Sequence, residues 1–118
     1  MNAHISIERI KDKNFQKQVL ESTLPVMVVF EKSCWGTAHI IKPIIEKIAV
    51  EYSGKIKVLR YNLEENPVSS EYYRIEDVTT ILVFNKGNVI YKTGVISIDE
   101  FRKILNSILS DTLNQQIE

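Results

Sequence analysis

One cysteine, Cys34, is all the thiol chemistry that this 118-residue chain carries. A lone cysteine cannot close an intramolecular disulfide, so a disulfide framework is excluded. An excess of either charge is missing too, because fifteen Lys and Arg balance fifteen Asp and Glu. No net field draws nucleic acid or an anionic membrane, and neither is expected as a partner. Long hydrophobic runs are absent; the longest, residues 25–30, falls far short of the roughly 20 residues that span a bilayer. Residues 1–11 alternate polar and apolar side chains without an apolar signal core, so a cytoplasmic location is expected. Cys34, His4 and His39 form no spaced ligand cluster, and neither a metal nor another cofactor is expected. Glycine and proline are few, four and three, and no linker or internal repeat divides the chain. One domain over residues 1–110 is expected, followed by a polar tail at 111–118 that frays.

What is present is patterning. Residues 5–10 read as a short strand, and Asp12 or Asn14 is positioned to cap a helix that carries Phe15, Val19 and Leu20 on one face. Pro25-Val26-Met27-Val28-Val29-Phe30 is a continuous run rich in β-branched residues, which suits a central strand covered on both faces. Ile41, Ile44, Ile45, Ile48 and Tyr52 then recur at helical spacing, with Pro43 inside the helix to bend it. Residues 56–63 read as a second interior strand, and Asn66-Pro67 opens a short helix. Residues 79–84 are strand again, and Asn85-Lys86-Gly87-Asn88 turns a hairpin into residues 89–92. Ser97-Ile98-Asp99-Glu100 has the form of a capping box before a helix whose apolar face is Phe101, Ile104, Leu105 and Ile108. The order predicts a three-layer α/β/α domain. Its mixed sheet has about five strands, a parallel core plus a C-terminal antiparallel hairpin, and four helices cover it.

This order, with the residues 25–30, Ile41-Lys42-Pro43-Ile44-Ile45-Glu46-Lys47-Ile48-Ala49, 54–63, Glu65-Asn66-Pro67, Thr80-Ile81-Leu82-Val83-Phe84-Asn85-Lys86-Gly87 and Gly94, resembles the thioredoxin family over roughly residues 12–110. The resemblance implies the thioredoxin fold. It weakens at the positions of the family's dithiol. Where thioredoxins read Trp-Cys-Gly-Pro-Cys, this chain reads Cys34-Trp35-Gly36-Thr37-Ala38. The family's buried aspartate corresponds to Val29 and its cis-proline to Thr79, after Val78. A trans bond is expected before Thr79, because a cis bond without proline costs about 3–4 kcal/mol.

The expectation drawn from these departures is a non-catalytic, redox-inactive interaction module or chaperone-like adaptor, not an enzyme. It would hold a polypeptide partner at the former active-site end, as a monomer or weak homodimer. Trp35, Gly36, Thr37, Ala38, Val78, Thr79 and Gly94 are the expected binding residues. Trp35 either anchors a partner or folds down to fill the vacated site. Thr37 or Ser33 caps the helix, unless its amides bind an anion. Asp77 adds a charge that relatives usually lack there. The alternative is a monothiol redox protein in which Cys34 forms mixed disulfides with glutathione or a partner protein. Cys34 is otherwise a passive small residue at a strand end. Finally, Glu31 shares a strand face with Val29, and Arg60 on the next strand corresponds to a lysine of the family. An unpaired guanidinium near the core is costly, so a Glu31–Arg60 ion pair is expected.

Overall fold

The computed structural model describes residues 7–32, 34–65, 67–75 and 79–117. In chain order it builds β1 (Glu8–Ile10), α1 (Asp12–Phe15), β2 (Val26–Glu31), α2 (Gly36–Glu51), β3 (Lys57–Asn62), α3 (Pro67–Tyr72), β4 (Thr80–Asn85), β5 (Asn88–Thr93) and α4 (Ile98–Ile117). After α1 the chain widens into a π-helical turn over Gln16–Leu20. The five strands form one mixed sheet in the order β1-β3-β2-β4-β5. β3 runs parallel to both β1 and β2, while β4 is antiparallel to β2 and β5 antiparallel to β4. This is the thioredoxin fold that the pattern of elements implied.

Strand alternation sorts the core onto two faces. Val26, Val28 and Phe30 of β2 join Phe15, Val19, Tyr61 and Phe84 beneath α1 and α3. Met27 and Val29 point the other way, to Ile41, Ile45 and Ile48 of α2 and Phe101 and Leu105 of α4. Every residue of β2 is buried, as a strand between two neighbours and two helical layers must be. Fully burying one such side chain contributes roughly 1.5–3 kcal/mol.

Local chemistry fixes the connections. Lys86 (φ 52°) and Gly87 (φ 82°) both take the left-handed conformation that a two-residue hairpin turn needs. At Gly87 a side chain is excluded twice over, because a Cβ there would also lie 3.1 Å from the Leu20 carbonyl oxygen. Ser97 Oγ accepts the Glu100 amide at 3.2 Å and lies 3.3 Å from the Glu100 carboxylate, which fixes the start of α4. α4 continues to Ile117, through the stretch expected as a polar tail. Met1, His4, Ser33, Asn66, Asp77 and Val78 lie outside the described residues.

Candidate functional site

Three segments meet at the amino end of α2. Cys34 stands in the turn between β2 and α2 as a free, exposed thiol. Trp35 follows as the N-cap residue of α2, in extended conformation and without a side-chain cap hydrogen bond. Its side chain is half-buried against the core cluster that contains Phe15 and Phe30. The Lys32 ammonium sits 5.7 Å from the centre of the ring, within cation–π range. Part of the side chain is thus packed on the core and part faces solvent. Lys32 was missed by sequence reasoning, although a cation three residues before the only tryptophan was visible in the chain.

Thr37 does not cap α2. Its hydroxyl pairs instead with that of Thr79, 2.7 Å away, and Thr79 is 1% exposed. Gly94 lies against the same spot: a Cβ built on it would be 3.9 Å from the Thr79 carbonyl oxygen. Thr37, Thr79 and Gly94 are therefore brought together. Gly36 is exposed, and a Cβ there would meet nothing within 4 Å. Ala38 is buried. Val78 lies outside the described residues, so the peptide bond before Thr79 does too.

Elsewhere on the sheet face that packs against α2, Arg60 Nε donates to Glu31 Oε1 at 2.6 Å, and Nη2 contacts the same oxygen. The Glu31 side chain is 7% exposed and that of Arg60 22%. Both face the sheet side that carries Val29.

Asp12, expected as a cap for its own helix, works elsewhere. Lys11 is the N-cap residue of α1, and Asp12 accepts hydrogen bonds from the Tyr61 hydroxyl (2.6 Å) and from the amides of Val68 (3.2 Å) and Ser69 (2.9 Å). It is the cap of α3. Burial pushes its pKa up, but the hydrogen bonds from Tyr61, Ser69 and Val68 outweigh this and hold the carboxyl below its ordinary value of 3.8. Tyr61 is pushed up to about 12, by burial first and then by its bond to Asp12. No group of three or more His, Cys, Asp or Glu residues among those described is placed to hold a metal ion.

The family model described as Thioredoxin matches residues 6–107. The chain is 42% identical over 78 residues to "Thioredoxin" of Rickettsia conorii, covering 66% of this chain and 74% of that one. It is 35% identical over 79 residues to "Thioredoxin 1" of a Nostoc species, covering 67% and 74%. Over 101 residues it is 35% identical to "Thioredoxin" of Acidithiobacillus ferridurans, covering 85% and 94%. The chain belongs to the thioredoxin family.

These relatives overturn the expectation of a redox-inactive, non-catalytic adaptor that is not an enzyme. That expectation rested on Trp35 and Ala38 at the family's two cysteine positions, Val29 at its aspartate and Thr79 at its cis-proline, with monothiol chemistry at Cys34 kept as the alternative. Exchange divides into two steps, and the attacking step needs one accessible sulfur, which Cys34 supplies. No described helix is long and apolar enough to cross a membrane.

Proposed function

We propose that this chain is a monothiol thiol–disulfide redox protein that works through Cys34 on disulfides of polypeptide partners, in the cytoplasm. The observation that carries the reading is the position of its only thiol, exposed at the turn that leads into a 16-residue helix in the thioredoxin fold. The Cys34 thiolate attacks one sulfur of a partner disulfide. A Cys34–partner disulfide forms, the partner's S–S bond breaks, and its second sulfur leaves as a thiolate with the electron pair. A small thiol of the glutathione class then attacks the Cys34 sulfur and frees the reduced partner. A second such thiol attacks the small-molecule sulfur and returns Cys34 as thiolate. Two small thiols are oxidised to one disulfide and one partner disulfide is reduced. The half-exposed Trp35, next to the thiol in the chain, is the surface on which the polypeptide rests.

Insulin disulfide reduction with glutathione as the only reductant tests this. The protein should accelerate reduction over the glutathione background, and Cys34→Ser should return the rate to background. A rate unchanged by Cys34→Ser would overturn the proposal.

A further inference from the structure

A cavity of about 430 Å³ opens between α2 and the strands β1, β2 and β3, away from Cys34. Its inner walls are apolar, formed by Val29, Ile41 and Ile45. Charged groups surround the rest, in equal numbers of each sign: Glu8, Glu31 and Glu46 against Arg9, Lys42 and Arg60. The volume lies in the range of small-molecule sites.

The ion pair at its edge is incompletely used. Both contacts between Glu31 and Arg60 fall on one carboxylate oxygen, Oε1. Oε2 accepts no hydrogen bond among the described residues, and Nη1 of Arg60 donates none. No fully buried side-chain nitrogen or oxygen lacks a partner in the described structure, so Oε2 keeps some solvent exposure on a residue that lines the cavity. A carboxylate more than nine-tenths buried thus keeps an acceptor position vacant beside a vacant guanidinium donor.

We propose that this cavity binds a small zwitterion of the aliphatic α-amino-acid type. The ammonium group meets Glu31 Oε2, the carboxylate meets the free edge of Arg60, and the side chain lies on Val29, Ile41 and Ile45. Balanced lining charges give no net attraction to a simple anion or cation. A ligand carrying both signs at short separation satisfies both vacancies at once and restores the water bonds that entry removes. The site is independent of the thiol, and its occupation does not require Cys34.

L-Leucine is the probe, titrated into the full chain and followed by amide chemical shifts. The expected result is saturable binding in about the millimolar range. Shifts should be confined to residues lining the cavity, with Glu31→Gln weakening binding by about tenfold. 4-Methylvalerate and isoamylamine, each leucine lacking one charged group, should bind about tenfold more weakly than leucine. The double change Lys42→Ala/Glu46→Ala, at exposed positions that leave the core intact, should weaken binding about threefold and serves if Glu31→Gln does not fold. Absence of saturable shifts would overturn the proposal, as would equal binding of the singly charged analogues or binding indifferent to both variants.

Discussion

Two helices of this fold begin in opposite ways. α3 starts under a carboxylate borrowed from α1, with Asp12 receiving the amides of Val68 and Ser69 as well as the Tyr61 hydroxyl. α2 starts at Trp35, which makes no side-chain cap hydrogen bond, beside the exposed thiol of Cys34. Helix amino ends carry unsatisfied donors and partial positive charge. An end closed by a carboxylate is committed to holding the fold together. The α2 end lacks such a carboxylate from its N-cap residue, and the chain's one thiol stands there. On the proposed function, architecture and chemistry are divided between the two helix starts.

The largest effect is expected where the clasp is broken. Asp12→Ala removes the hydrogen bonds of the Tyr61 hydroxyl and the Val68 and Ser69 amides to a charged acceptor, and the urea midpoint should fall by an equivalent of about 2–3 kcal/mol. Thiol exchange at Cys34 should keep its rate in the fraction that remains folded. A large loss of exchange with little loss of stability would erase the division.

The clasp also sets both limbs of a pH–stability profile. The Asp12 carboxyl is depressed in the folded state, so its contribution is fully present above 3.8 and is lost as pH falls through the folded value. Tyr61 is raised from 10.0 to about 12, so its contribution is complete below 10.0 and disappears as pH rises toward 12. Tyr61→Phe should flatten the alkaline limb, and Asp12→Asn the acid limb. Denaturant melts across the pH range check both.

A smaller effect belongs to the α2 end. Thr37→Val leaves the Thr79 hydroxyl, buried, without its 2.7 Å partner, and should lower stability by about 1 kcal/mol. Smallest is the exposed carboxyl end of α2. There Arg102 of α4 holds Glu51, with Nε 3.0 Å from Oε2. Arg102→Ala should leave the thermal midpoint almost unchanged, and added salt should remove what difference exists.

The elements were legible because their signals are local. The β-branched run of β2, the Asn85-Lys86-Gly87-Asn88 turn and the Ser97–Glu100 box each depend on residues within a few positions of one another. Glu31 and Arg60 could be brought together because strand alternation and the family's sheet order place them on one face. Asp12 shows the limit. Its partners lie 49, 56 and 57 residues away, and an aspartate before a helical pattern reads as a cap for that helix. Thr37 was misjudged for the same reason, its hydroxyl partner being 42 residues distant. The redox reading failed differently. Trp35 and Ala38 stand where the family has its two cysteines, and the adjacent Cys34 was weighed by alignment position rather than by its accessibility.

The proposed function requires Cys34 to form and release mixed disulfides. Intact mass measured after incubation with glutathione disulfide tests it most directly. One glutathionyl adduct should form under native conditions, vanish when reduced glutathione is added in excess, and never appear in Cys34→Ser. An intact, folded chain whose Cys34 stays unmodified would contradict this reading.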